Sequence, residues 1–202
     1  MEFGAEHEKD VANRAPYVLV SVPNNLVQPL GKAASKDYRW QFGKDLKPLL
    51  GSIIASLDEE SPLRRALRHP NGDESTFAFR GIKRDKRKFR KAEYHFQDST
   101  YSRTRKNIEK FGFDKNDPGY ETWLWIGLPE MALIRATPKN QHEVGILLIY
   151  NAEGLTYKEG NVAQGIVLPE GKTLKDFYVG AVEISVEPSK KKNVNRLLSK
   201  HK

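Results

Sequence analysis

Residues 144–154, VGILLIYNAEG, decide the fold class. The apolar run Val144–Tyr150 ends at a Glu153–Gly154 turn signal and reads as a β-strand. The same pattern extends outward on both sides. Glu121–Leu128 and Met131–Thr137 precede it, divided at Pro129, and Gln164–Leu168 and Phe177–Val186 follow it. Turn signals at Pro138–Asn140 and Glu170–Gly171 separate the remaining segments. Short strands joined by short turns predict an antiparallel or mixed sheet, because a parallel connection needs about a dozen residues or a crossover helix.

The first half has a different periodicity. Tyr17–Val22 is an apolar, β-branched run closed by Pro23, Asn24 and Asn25, which predicts a buried strand and a turn. Leu46, Leu49, Leu50, Ile53, Ile54 and Leu57 then recur at helical spacing, with Asp45 in the N-cap position. Pro48 is tolerable in a first turn, so it sets the expected start of that helix. Ser61 and Pro62 predict the cap and first residue of a second helix, ending near His69 before a Pro70–Asn71–Gly72 turn. Both helices are expected to cover one side of the sheet. Residues 75–82, STFAFRGI, predict a strand with Phe77 and Phe79 on one face.

The expected fold is therefore α+β, a single domain with helices mainly in the N-terminal half packed on a mainly antiparallel or mixed sheet from the C-terminal half. Residues 1–16 are expected to form a flexible arm. Residues 17–188 form the domain, with a basic insertion at 80–106, and residues 189–202 form a basic flexible tail. No repeat of 20–50 residues is present.

Charge is unevenly placed. Residues 80–106 hold 11 Lys and Arg against 3 Asp and Glu, a surplus of 8 that equals the net charge of all 202 residues. The tail from Ser189 adds 6 bases and no acids, which leaves a mildly acidic remainder of 17 bases against 23 acids. Basic stretches on an acidic body point to a polyanion-binding surface. Lys83, Arg84, Lys86, Arg87, Lys88, Arg90 and Lys91 place seven cations in nine positions. An anionic partner stabilises such crowding, and several phosphate contacts give salt-dependent, largely sequence-independent affinity. Beyond them, an Asp98 or Ser99 cap opens an expected amphipathic helix to Phe111. It has Tyr101, Thr104, Ile108 and Phe111 on one face and Arg103, Arg105 and Lys106 near or opposite it. Phe89, Tyr94, Phe96 and Tyr101 are read first as packing groups and second as base-stacking platforms. Trp123 and Trp125 alternate on one strand face and are read as core.

Several chemistries are excluded or weakly signalled. The absence of cysteine removes disulfides, thiolate metal sites and cysteine nucleophiles. No nucleotide-binding glycine loop or nucleophile elbow occurs, and neither cofactor nor resident metal is expected. Glu170 and Lys172 give a Glu-x-Lys arrangement, with Asp117, Glu143 and Glu153 as further carboxylates for a magnesium-dependent cut site, but Pro169 and Gly171 read as a turn. Arg64 and His69 have the spacing of some metal-independent ribonuclease pairs, and Pro70 stops that helix at once. His95 and His142 show no paired ligand spacing. The residues MEFGAEHEKDVANRAP lack the apolar core of a signal peptide, and no stretch nears the roughly 18 apolar residues that span a bilayer. A soluble, cytoplasmic protein is expected.

Trp125–Gly127, then Gly145–Tyr150, then Gln164 and Gly165 resemble the strand order of the DNA-reading N-terminal domain of McrB-type modification-dependent restriction proteins. The resemblance covers under half the chain, and no functional residue is carried over from it. The sequence as a whole predicts a nucleic-acid-binding protein, DNA preferred over RNA, that contacts phosphates through Lys83, Arg84, Lys86, Arg87, Lys88, Arg90, Lys91, Arg103, Arg105 and Lys106. A metal-dependent nuclease of a defence or nucleic-acid-processing system is one alternative. An interaction module for an acidic protein is the other.

Overall fold

Strand β2 (Phe77–Asp85) lies at the middle of a mixed sheet, where Phe77, Ala78, Phe79, Arg80 and Ile82 are buried. The computed structural model describes residues 15–27, 42–72, 76–85, 123–158 and 164–188. Within these, the strands are β1 (Tyr17–Val22), β2, β3 (Trp123–Ile126), β4 (Glu143–Asn151), β5 (Thr156–Lys158), β6 (Gln164–Val167) and β7 (Tyr178–Val186), in the spatial order β1–β7–β4–β2–β3–β6–β5. β1 runs parallel to β7, and every other pairing is antiparallel. β3 bridges the main sheet to the β5–β6 hairpin, its last two residues pairing with β2 and its first two with β6.

Three helices cover one face: α1 (Phe42–Ala55), α2 (Pro62–Arg68) and α3 (Pro129–Ala136). Leu49, Ile53, Leu63, Ala66 and Leu133 pack there with Val22, Phe79, Leu147, Ile149 and Val182 of the sheet. Phe77 and Phe79 share that face as the alternation predicts. Ser61 caps α2, its Oγ accepting from the Leu63 amide at 3.3 Å, with Pro62 as the first helical residue. The opposite face carries a second core in which Ile146, Leu148 and Tyr150 meet Leu155 and Leu174. Among the described residues no helix is long and apolar enough to cross a membrane.

Two local expectations are corrected. α1 begins at Phe42, so Asp45 is inside the helix and does not cap it, and Pro48 stands well past the first turn. An interior proline costs about 3 kcal/mol. Burying Leu46, Leu49, Leu50 and Ile53, each worth roughly 1.5–3 kcal/mol, outweighs that cost. Met131–Thr137, expected as a strand, instead belongs to α3 and the residue after it. Pro129 opens this helix, and Pro129, Ala132, Leu133 and Ala136 are its buried face at i, i+3, i+4 and i+7. One helix therefore comes from the second half of the chain, and the central strand β2 comes from the first.

Candidate nucleic-acid interface

The apolar part of β2 stops at Ile82, yet pairing to β4 continues for three more residues, Lys83↔Gly145, Arg84↔Val144 and Asp85↔Glu143. Strand alternation sends Lys83 and Asp85 to the helix-bearing face and Arg84 to the other. The first two cations of the expected interface are thus rooted in the sheet and diverge from it. Arg84 is half-buried and donates from Nη1 to the Lys83 carbonyl at 3.1 Å. Lys83 is also half-buried, and burial holds its ammonium pKa below the usual 10.5. Glu143 opposes that shift, while Lys139 and Arg135 reinforce it.

The other expected contacts, Lys86, Arg87, Lys88, Arg90, Lys91, Arg103, Arg105 and Lys106, lie outside the described residues. So do the expected helix from Asp98 or Ser99 to Phe111, the rings of Phe89, Tyr94, Phe96 and Tyr101, His95, Asp117 and the tail from Ser189. Trp125 is described and packs against the helix-side core, as expected of a structural residue.

Arg80 changes the arithmetic of the basic segment. It is 8% exposed, on the face away from the helices with Ala78 and Ile82, and so is not available to an external phosphate. Its strand position was legible in the alternation of STFAFRGI. The polar company it keeps was not. Glu183 of β7 is 4% exposed on the same face and accepts a hydrogen bond from the Tyr17 hydroxyl at 2.7 Å. Tyr150 is fully buried within electrostatic reach of Arg80, its ring centroid 5.8 Å from that of Tyr178. Burial raises the Tyr150 hydroxyl pKa far above 10, and the positive charge of Arg80 opposes the rise.

The carboxylates considered for a cut site do not converge. Glu143 opens β4 and Glu153 follows its end, which puts roughly 27 Å of strand between them. Glu170, Gly171 and Lys172 occupy an exposed turn, with Gly171 at φ 73° and the Lys172 amide donating to Pro169 at 3.0 Å. Among the described residues no group of three or more His, Cys, Asp or Glu is placed to hold a metal ion. A closer pair does occur at the end of β2, where Asp85 and Glu143 face each other across the ladder beside Lys83. Arg64 is committed to structure, donating to the Leu57 carbonyl at 2.9 Å and to Glu59 at 3.3 Å, while His69 has left the helix as its C-cap. His142 shapes the turn before β4, its amide donating to Asn140 Oδ1 at 2.8 Å.

Comparison with protein-family models, curated proteins and solved structures gives no match to this chain, and the resemblance to McrB-type DNA-reading domains gains no support there.

Proposed function

We propose that the protein binds nucleic acid, DNA in preference to RNA, at the sheet end where β2 passes into the basic segment. The observation that carries this reading is the concentration of positive charge in residues 81–106, a surplus of 7 once the buried Arg80 is set aside, in a segment that begins in the central strand of the hydrogen-bonded sheet. A rigid root lowers the entropy lost when phosphate contacts form. Duplex affinity measured by fluorescence anisotropy across a salt series tests the reading. Replacing Lys86, Lys88, Arg87 and Arg90 together by Gln should weaken binding at least about tenfold near 100 mM salt, to a similar degree for unrelated sequences. The log–log salt slope should flatten by roughly three to four, at about 0.9 per lost phosphate contact. Unchanged affinity and slope in that variant refute the proposal.

A nuclease is the second reading, favoured by the facing carboxylates of Asp85 and Glu143 beside Lys83. Like charges directly opposite on neighbouring strands are unfavourable, and a divalent cation between them would relieve the repulsion. Plasmid and RNA cleavage with and without magnesium separates the two. Cleavage that requires magnesium and is lost in Glu143→Gln establishes the nuclease; none in either condition leaves a binding protein.

A further inference from the structure

Lys83 makes no hydrogen bond or ion pair through its ammonium among the described residues, although it is half-buried. Its setting follows from two glycines. A Cβ at Gly81 would overlap the Ala132 carbonyl, and one at Gly145 would overlap the Ala136 carbonyl, so α3 rests directly on the backbones of β2 and β4. Lys83 is the next residue on that face after Gly81 and stands opposite Gly145. It therefore emerges beside the C-terminal end of α3.

The same end of the helix presents more positive charge. Arg135 is exposed in its last turn and Lys139 is exposed in the loop that follows. That loop is tightly built. Thr137 Oγ1 donates to the Leu133 carbonyl at 2.6 Å, the Glu143 amide donates to the Asn140 carbonyl at 3.1 Å, and the Lys139 amide donates to Glu143 Oε2 at 2.6 Å. Glu143 is thus engaged in holding Lys139 in place. The helix carbonyls draw cations to this corner. Burial is the main cause of the lowered Lys83 pKa. Glu143 is the largest charge acting on it and opposes the shift, whereas Lys139 and Arg135 add to the shift as like charges. Asp85 faces Glu143 two residues further along the ladder. Lys83, Arg135 and Lys139 thus lie within electrostatic reach of one another at this corner, three cations against the two carboxylates of Glu143 and Asp85.

We propose that Arg135 and Lys139, together with Lys83, form a phosphate-binding rim that extends the nucleic-acid interface onto the helix-bearing side of the sheet. The inference rests on the nucleic-acid reading and adds to it Arg135 from the last turn of α3 and Lys139 from the loop that follows, both outside the basic segment. A backbone phosphate is the ligand, and pyrophosphate is the small probe that reports on the rim alone.

The test uses the full chain and the double variant R135Q/K139Q, whose two positions are exposed and leave the cores intact. Binding of a fluorescein-labelled 20-base-pair duplex across a salt series should weaken about tenfold near 100 mM salt, with the slope falling by about two. In parallel, side-chain NMR of labelled lysine, with the Lys83 signal identified from Lys83→Met, follows a pyrophosphate titration. The Lys83 pKa should rise on saturation in the parent and stay fixed in the double variant. If the double variant keeps the parent's affinity and slope while the quadruple variant at 86–90 is impaired, the rim is overturned and the nucleic-acid reading stands. If the parent ignores the duplex but pyrophosphate raises the Lys83 pKa, the rim stands and the nucleic-acid reading falls. No response to either probe overturns both.

Discussion

Tyr150 shows how a single buried hydroxyl links the fold to pH. Its pKa is raised by burial, so the folded state keeps the proton over a range where the unfolded chain, titrating near 10, has lost it. The stabilisation is complete below about pH 10 and is lost as pH rises above it, by about 1.4 kcal/mol per pH unit. Lys83 has the opposite sign. Its lowered pKa makes stability rise with pH until the unfolded lysine also deprotonates near 10.5. Urea unfolding of the parent and Tyr150→Phe between pH 9 and 11.5 isolates the tyrosine, because Lys83 is common to both. The parent should lose stability relative to the variant as pH rises past 10, and parallel curves would show that the hydroxyl titrates normally. Arg80 gives the matching lesson about sequence. Its alternation with Ala78 and Ile82 was readable, but its burial depended on strands that arrive much later in the chain.

At the scale of elements, the contact of α3 with β2 and β4 is the most sensitive joint. Gly145→Ala drives a methyl group into the Ala136 carbonyl, a backbone atom that cannot move without lifting the helix. It should cost about 3 kcal/mol or more in denaturant unfolding. Gly51→Ala is the contrast, since that exposed position in α1 has nothing within 4 Å of an added Cβ, and it should gain roughly 0.5–1 kcal/mol. Equal effects at the two glycines would show that the joint does not constrain the helix. The strands around Tyr150 and both ends of α2 were legible because continuous apolar runs bounded by turn residues, a Ser–Pro cap and a Pro–Asn–Gly turn are local signals. α3 was not, because reading Pro129 as a turn concealed the i, i+3, i+4, i+7 set that it begins. The early start of α1 was hidden for a related reason. Local proline rules place Pro48 in a first turn, and the long-range burial of Leu46 to Ile53 overrides them.

For the whole molecule, the α+β class and the mixed sheet were legible, whereas the assembly of the site was not. Arg135, Lys139 and Glu143 are separated from Lys83 by more than fifty residues, and only the β2–β4 register and the seating of α3 bring them to one corner. The pairing of β1 with β7 has a separate consequence for how the chain is made. Tyr17 lies beside Ala181, so a strand synthesised early finds its ladder partner only after nearly all of the domain has been translated. Closing so long a loop is entropically slow, and until then β1 is an open template for other strands. Ribosome-bound chains stalled with residues up to 170 outside the exit tunnel should be cut by protease within 17–22, and chains with residue 186 outside should be protected there. The biosynthetic clock of this sheet is therefore set by β7, and the interval before β7 emerges is the period of greatest exposure of β1 to chaperones and to aggregation.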